Sequence, residues 1–249
     1  MLHAETSGSG PRLVLAHGFT QTAHSWGRFG ELVGAGRELV LVDLPGHGRS
    51  SEVRADLASC GALLAATAAS GGCEFDLLGY SLGARVALHA ALLAPEGLRR
   101  LVLIGATAGI EDAARRAARR ARDDALADEL EADLEGFLTR WVSAPMFAGL
   151  RDPGLAARRR NTAAGLASSL RLAGTGSAAP VWDRLGAVRA PTLALAGAAD
   201  IRFSLAAERL ARGVPAGLFS LVPGAGHAAH LEQPDLCAAI VTRFLDRAP

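Results

Sequence analysis

Lysine is absent from this chain of 249 residues, in which all 26 basic residues are arginine. A phosphate-binding loop of the G-x-x-x-x-G-K-[ST] type is therefore excluded. An excess of charge of either sign is also missing, because 26 basic residues face 25 acidic ones and the net charge is +1. This balance gives no electrostatic basis for binding nucleic acid or an anionic membrane surface.

Cysteine and long apolar runs are scarce as well. The three cysteines, Cys60, Cys73 and Cys237, form no C-x-x-C motif and no paired framework, which predicts buried thiols in a reducing compartment. No stretch approaches the ~20 apolar residues of a membrane span. The N-terminus lacks the basic and apolar regions of a signal peptide. We therefore expect a cytoplasmic protein, most simply a monomer, with no membrane partner.

Short apolar runs that end in glycine-containing turns recur along the chain. Because they do not alternate with polar residues, they predict strands buried on both faces of a sheet. Ala- and Leu-rich stretches of helical length lie between several of them, at 59–69, 82–93 and 204–212, and this alternation predicts an α/β fold with a mostly parallel sheet. The predicted strands are 12–16, 38–42, 74–78, 101–104, 192–196 and 218–222.

The alternation stops between residues 107 and 188. This region is helical in pattern and rich in charge, without a convincing strand. We expect residues 1–106 and 189–249 to form the α/β core, and residues 107–188 to form an inserted helical lid. Ligands of open α/β sheets bind at the carboxyl edge of the strands, where such a lid would lie.

The strongest chemical signal is the Gly-Tyr-Ser-Leu-Gly sequence at residues 79–83. It follows a predicted strand and opens a predicted helix, which is the context of a nucleophile elbow. Glycine at both ends of the motif has no side chain, so the strand and the helix can approach each other closely at this sharp turn. Ser81 then lies at a helix N-terminus, which stabilises a negative charge that develops there. Ser81 is the predicted nucleophile.

A serine nucleophile needs a base and an acid that orients the base. Asp200 follows the predicted strand 192–196, and His227 follows the last predicted strand, so both occur in the chain order expected after the serine. His230 is the competing histidine and Asp43 the competing carboxylate. No set of metal ligands is convincing and no dinucleotide fingerprint follows the first strand, so we expect neither a metal nor a cofactor.

Together these motifs resemble the α/β-hydrolase superfamily over nearly the whole chain. They are His-Gly-Phe at 17–19, Asp-Leu-Pro-Gly-His-Gly at 43–48, the elbow at 79–83, and Gly-His at 226–227. The resemblance implies an oxyanion hole made by the backbone N–H groups of Phe19 and Leu82. It does not by itself imply one reaction, since this scaffold hosts many.

Arg85, in the first turn of the elbow helix, points to one family within the α/β-hydrolase superfamily. The sequence Gly-Tyr-Ser-Leu-Gly-Ala-Arg at 79–85 is similar to the elbow of the 2-succinyl-6-hydroxy-2,4-cyclohexadiene-1-carboxylate (SHCHC) synthases of menaquinone biosynthesis, with Ala84 in place of a glycine. Gly-His-x-x-His followed by Glu-x-Pro at 226–234 matches the same family. The resemblance implies substrate contacts at Arg85, Arg119, Trp141 and one of three arginines, Arg158, Arg159 or Arg160, of which spacing favours Arg158. Tyr80 is a further candidate contact because it flanks the nucleophile.

The family resemblance implies a small substrate with three carboxylates, which arginine binds bidentately. It implies elimination of pyruvate by a carbon–oxygen lyase, with the Ser-His-Asp triad acting as a base. A serine ester or thioester hydrolase with the same triad is the alternative. A ligand-binding protein that has lost catalysis is a third possibility, although it would not need all three triad residues.

Overall fold

A sheet with one antiparallel edge strand forms the centre of the molecule. The computed structural model describes residues 1–72, 74–152 and 154–247, and the strands within them follow the order β1-β3-β2-β4-β5-β6-β7 across the sheet. Only β1 runs antiparallel to its neighbour. The strands are β1 (Ala4–Gly8), β2 (Arg12–Ala16), β3 (Glu38–Val42), β4 (Phe75–Tyr80), β5 (Leu98–Ile104), β6 (Thr192–Gly197) and β7 (Gly217–Val222). The predicted α/β class is confirmed.

The central strands are buried along their whole length, which explains their continuous apolar sequences. Every residue of β4 and β6 is buried. The six predicted strands all occur, with ends that shift by up to three residues. β1 was not predicted, because its sequence, Ala-Glu-Thr-Ser-Gly, is polar and three of its five residues are exposed at the sheet edge.

The helices flank the sheet and connect its parallel strands. Three of them correspond to predicted stretches, whereas α1 was not predicted because glycines stand at both of its ends and in its middle. The helices of the described residues are α1 (Gly27–Gly34), α2 (Leu57–Ala68), α3 (Leu82–Ala91), α4 (Ala113–Ala132), α5 (Leu134–Val142), α6 (Leu155–Arg158), α7 (Ala163–Ala173), α8 (Ile201–Gly213), α9 (Ala229–Glu232) and α10 (Pro234–Leu245).

Two apolar clusters cover the two faces of the sheet. Leu77 belongs to one cluster and Leu78 to the other, as expected for neighbouring strand residues whose side chains point to opposite faces. The first cluster includes Leu64 of α2 and Leu88 of α3, and the second includes Phe244 of α10. The strands are thereby fixed from both sides, and the carboxyl ends of the six parallel strands, β2 to β7, meet at one edge of the sheet.

The segment between β5 and β6 is helical and has its own apolar cluster. Its described residues, 107–152 and 154–188, contain α4 to α7 and no strand. Asp112 and Thr162 cap α4 and α7 by accepting backbone N–H groups. Leu130 of α4, Phe137 of α5 and Leu166 of α7 are fully buried together. In the described part of the chain, every helix is too short or too polar to cross a membrane.

Cys60 and Cys237 are buried and unbridged, as predicted for thiols without a disulfide framework. Cys73 lies outside the described residues. Burial raises the pKa of the Cys60 thiol to about 12, so this thiol stays protonated and unreactive near neutral pH.

Candidate active site

Ser81 stands at the tip of a sharp turn between β4 and α3. Its φ of 52° is a left-handed conformation, which costs energy for a residue with a side chain and is typical of a strained functional turn. The turn is possible because its flanking residues are glycines. A β-carbon on Gly79 would lie 2.3 Å from the Gly83 carbonyl oxygen, and one on Gly83 would lie 2.0 Å from the Ala16 carbonyl oxygen.

Ser81, His227 and Asp200 form one hydrogen-bonded chain at the carboxyl edge of the sheet. The Ser81 Oγ lies 3.0 Å from His227 Nε2, and His227 Nδ1 lies 2.8 Å from Asp200 Oδ2. With the imidazole proton on Nδ1 donated to Asp200, Nε2 is an acceptor for the serine hydroxyl proton. This arrangement can remove a proton through the serine or activate the serine for attack.

Asp200 is held as a charged group. Partial burial by itself would raise the pKa of this carboxyl group, but the hydrogen bond and charge of His227 lower it below its ordinary value. Asp200 also accepts the backbone N–H of Phe203 at the start of α8. The Phe203 ring packs against the His227 ring, with centroids 4.4 Å apart, so the imidazole is fixed both by its partner and by packing.

The competing residues have other surroundings. The carboxylate of Asp43 accepts the backbone N–H groups of Ala23 and Arg49, and so ties two loops together. His230 is fully buried, and neither of its ring nitrogens has a hydrogen-bond partner within the described ranges. His17 is buried as well and contacts the backbone at Gly18 and Leu44, which gives it a supporting role in its loop.

Phe19 and Leu82 are the residues whose backbone N–H groups are predicted to bind an oxyanion. Both residues line the same cavity as Ser81 and His227. Leu82 is the first residue of α3, so its N–H has no partner within the helix. Phe19 lies in the loop after β2. The two N–H groups of these residues remain the predicted oxyanion donors.

The cavity above Ser81 has a volume of about 550 Å³, within the usual range for a small-molecule site. Its walls come from the carboxyl edge of the sheet and from the segment between β5 and β6. Apolar side chains form much of the wall, but five arginines also line it. They are Arg85, Arg119, Arg122, Arg140 and Arg202.

Arg85 is the most enclosed of these arginines. Its guanidinium donates to the carbonyl oxygen of Ala173, the last residue of α7, at 3.0 Å. Burial, together with the nearby charge of Arg119, lowers the pKa of Arg85 to about 10. The side chain still carries its charge at pH 7, and none of the ion pairs seen among the described residues includes it.

Arg119 enters the cavity from α4 and is paired with Asp123 one turn later. The Nε of Arg119 lies 2.8 Å from Oδ1 of Asp123, which is fully buried. The second oxygen of Asp123 accepts the backbone N–H of Gly176 at 3.4 Å. Arg119 is therefore held in place from inside the protein, with about a third of its side chain exposed.

The two predicted aromatic contacts have different positions. Trp141 lines the cavity and packs on Phe137 and Phe19, with ring centroids 5.7 and 5.4 Å apart. Its indole N–H is buried and has no hydrogen-bond partner in the described part of the chain. Tyr80 is almost fully buried behind the triad, against the rings of His227 and His230, and does not line the cavity.

None of the three predicted candidates for a further substrate arginine lines the cavity. Arg159 pairs with Glu135, and both Arg159 and Arg160 are exposed. Arg158 is 2% exposed, and its guanidinium donates to the Thr20 hydroxyl and to the Phe19 carbonyl oxygen. Arg158 thus supports the loop that carries a predicted oxyanion donor, which is an indirect role rather than the direct substrate contact that we expected.

Arg122, Arg140 and Arg202 line the cavity although the sequence did not single them out as substrate contacts. Arg140 lies 3.5 Å from the carboxylate of Glu129, which is also at the cavity wall. Arg122 follows Arg119 by one helical turn, and this spacing could have indicated that both side chains lie on the same face of α4. Arg202 follows Asp200 by two residues, which is a second signal of this kind in the sequence.

No group of three or more His, Cys, Asp or Glu side chains within residues 1–72, 74–152 and 154–247 is arranged to hold a metal ion. The groups that do meet at the cavity are a serine hydrogen-bonded to a histidine and several guanidinium groups.

A model of the alpha/beta hydrolase family matches residues 13–240. The chain belongs to the α/β hydrolase family. Two relatives within it are named SHCHC synthases: one from Klebsiella pneumoniae is 35% identical over 94% of both chains, and one from Escherichia coli is 34% identical over 98% of this chain and 99% of its own. The family resemblance predicted from the elbow and from Arg85 is thus confirmed.

The solved structure of MenH from S. aureus superimposes on this α/β hydrolase with a TM-score of 0.88. The two chains are 29% identical, and the match covers 98% of each. The similarity therefore includes the segment between β5 and β6 as well as the sheet, and the whole cavity lies within it.

Proposed function

We propose that this protein is a carbon–oxygen lyase of menaquinone biosynthesis. It eliminates pyruvate from 2-succinyl-5-enolpyruvyl-6-hydroxy-3-cyclohexene-1-carboxylate and forms SHCHC. The observation that carries this proposal is that Arg85 and Arg119 line the same cavity as the Ser81–His227 pair. A simple ester has no use for these charges, whereas the substrate has three carboxylates. The names of the relatives from K. pneumoniae and E. coli support the same assignment.

The bonds of the substrate dictate what the site must do. The ring C–H at position 2 lies next to the succinyl ketone and to the ring double bond, so it is the proton whose loss is most easily stabilised. Ser81 Oγ takes this proton while His227 Nε2 takes the hydroxyl proton of the serine, and Asp200 stabilises the imidazolium. No acyl-enzyme forms in this step.

Negative charge then develops on the succinyl ketone oxygen, where the N–H groups of Phe19 and Leu82 would stabilise it. The electron pair moves through the ring: a double bond forms between carbons 2 and 3, the existing double bond shifts to carbons 4 and 5, and the C–O bond at carbon 5 breaks. The leaving enolpyruvate takes up a proton and becomes pyruvate. Atoms and electrons balance without a redox partner, so the proposal includes no cofactor.

Residues 107–188 are proposed to act as the lid of the core formed by 1–106 and 189–249. The support is that this segment supplies Arg119, Trp141 and Leu170 to the cavity, while the core supplies Ser81 and His227. Closing such a cavity excludes water, which strengthens the contacts between guanidinium and carboxylate groups. Trp141 would contact the substrate through the part of its ring that lines the cavity.

A small polycarboxylate is the proposed partner. A monomeric state and a cytoplasmic location complete the proposal, in agreement with a substrate of this kind. Size-exclusion chromatography with light scattering tests the first, and fractionation of cells that express the protein tests the second.

The test of the lyase is pyruvate release from freshly generated substrate, followed with lactate dehydrogenase and NADH. The substrate also loses pyruvate spontaneously, so every rate is compared with a blank. We expect fast release by the wild type and a loss of at least about 10³-fold in Ser81→Ala. Asp200→Asn is expected to retain the fold and lose most of the rate.

A serine ester or thioester hydrolase remains the alternative, because the same triad and the same N–H donors would serve acyl transfer. Release of pyruvate at the blank rate, combined with turnover of short p-nitrophenyl esters above ~10 s⁻¹, would replace the lyase by that hydrolase. Covalent labelling of Ser81 does not separate the two activities, since either enzyme can react.

A further inference from the structure

The proposed substrate has three carboxylates, and the sequence-based assignment leaves one of them without a partner. Arg85 and Arg119 line the cavity, but Arg158, the arginine expected for the third carboxylate, is buried behind the Phe19 loop. The cavity wall offers Arg122, Arg140 and Arg202 instead. The inference developed here rests on the proposed lyase function and adds the residue that holds the leaving group.

Arg140 and Arg122 are less suited to this task than Arg202. Arg140 already lies near the carboxylate of Glu129. Arg122 stands on α4, the helix that supplies Arg119, and therefore adds charge to the same wall. Arg202 is on α8, two residues after Asp200, and so belongs to the wall that carries the triad.

Arg202 forms no ion pair within the described residues. Its side chain is exposed. Its guanidinium lies over the ring of Phe203, 5.5 Å from the centroid. Phe203 in turn packs on His227, with ring centroids 4.4 Å apart, so one aromatic ring contacts both the guanidinium of Arg202 and the imidazole of His227 at the cavity wall.

The position of Arg202 within its helix strengthens this argument. Arg202 is the second residue of α8, close to the positive end of the helix dipole, where a cation is unfavourable. The other charged side chain at this end, Asp200, is already bonded to His227 and to the Phe203 N–H. A second anion, supplied by a ligand, would find both the guanidinium and the helix end favourable.

We infer that Arg202 binds the carboxylate of the enolpyruvyl group, the part of the substrate that leaves as pyruvate. The ring and succinyl carboxylates stay on the product, and the enclosed Arg85 and the internally anchored Arg119 suit groups that remain bound. The leaving group must instead reach solvent after the C–O bond breaks, and the exposed guanidinium at the cavity wall suits that path.

The test compares substrate with product, because only the substrate carries the enolpyruvyl carboxylate. Arg202→Gln is compared with wild type in pyruvate release and in inhibition by SHCHC. Arg212→Gln is the matched control, since Arg212 lies on the same helix, is exposed, pairs with Glu208 and does not line the cavity. Arg202→Lys retains the charge and measures how much of the effect is electrostatic.

We expect Arg202→Gln to lower kcat/KM about 10- to 100-fold, mainly through KM, as for loss of a charged hydrogen bond. The inhibition constant of SHCHC should stay within about twofold, Arg202→Lys should recover part of the loss, and Arg212→Gln should match the wild type. Pyruvate release should also become less sensitive to added salt in Arg202→Gln.

Three results for Arg202→Gln, and one for the wild type, would overturn the inference. Equal weakening of substrate and product would mean that Arg202 holds a retained carboxylate or shapes the site generally. A fall in kcat alone, with a shifted acid limb of the pH profile, would mean that Arg202 acts through Asp200. An unchanged kcat/KM would remove its role, whereas blank-rate release by the wild type itself would remove the proposed lyase and this inference with it.

Discussion

Replacing Arg85 by methionine removes a half-buried charge while keeping a long side chain in its place. The guanidinium is charged at pH 7, because its lowered pKa of about 10 is still well above neutrality. A hydrogen bond to a charged group contributes about 1.5–3 kcal/mol, and each 1.36 kcal/mol of lost transition-state binding lowers the rate about tenfold. If Arg85 holds a substrate carboxylate, kcat/KM for pyruvate release should fall about 10- to 150-fold.

The same substitution should have little effect on stability. It removes one hydrogen bond from the charged guanidinium to the Ala173 carbonyl oxygen, worth about 1.5–3 kcal/mol, but also a half-buried cation that has no ion-pair partner in the described part of the chain. These two effects oppose each other. We therefore expect the melting temperature of Arg85→Met to stay within about 4 °C of the wild type, measured by circular dichroism.

Arg100→Met is the matched control for a buried arginine. Arg100 lies near the start of β5, away from the carboxyl edge of the sheet where the cavity lies, and one of its nitrogens is 3.9 Å from Asp76. This variant should lose stability and keep kcat/KM. The reasoning for Arg85 would be refuted by a kcat/KM within twofold of wild type, or by a drop of about 10 °C in melting temperature that accounts for the lost activity.

Two further predictions concern the fold. Gly83→Ala should lower the free energy of unfolding, measured with urea, by about 3 kcal/mol or more, because its β-carbon would lie 2.0 Å from a carbonyl oxygen. Gly186→Ala is the control, since Gly186 has open space around it, and should change the free energy of unfolding by less than about 1 kcal/mol. Similar values for the two variants would contradict the steric argument. Burial lowers the pKa of the His230 imidazole from 6.5 to about 3. Between these two pH values the imidazole takes up a proton only in the unfolded chain, so the stability of the folded protein falls as the pH drops below 6.5. His230→Phe should reduce that slope by about 1.4 kcal/mol per pH unit, and identical slopes would exclude His230 as a source of acid sensitivity.

The parts of the fold that could be predicted from the sequence depend on short-range patterns. The elbow at residues 79–83 combines a buried strand, two obligatory glycines and a helix start, all within one short stretch, and its steric logic is visible in the residue types. The central strands were found for a similar reason, since burial on both faces leaves a continuous apolar run. β1 could not be found this way, because it is polar and acquires its conformation only by pairing with β3.

The cavity arginines were harder to assign because their roles depend on tertiary placement. Arg158, Arg159 and Arg160 are neighbours in sequence, yet one is buried beneath a loop, one pairs with Glu135 and the third is exposed. Periodicity on α6, a helix of four residues, cannot separate these outcomes. Arg202 was overlooked because an arginine beside a triad aspartate is equally compatible with a solvent-facing role, and only the cavity shows which way it is placed.

The internal pairing of Arg119 also has a consequence for selectivity. Because Asp123 already neutralises this guanidinium, a simple anion such as acetate or chloride must compete with a fully buried carboxylate and gains little by binding there. If Arg85 and Arg119 each hold a substrate carboxylate, as proposed, a ligand with several carboxylates meets a different situation: binding of one carboxylate at Arg85 would bring the next to Arg119 at a high effective concentration. On this proposal the site would discriminate against common monoanions and would favour molecules whose carboxylates are spaced like its guanidinium groups.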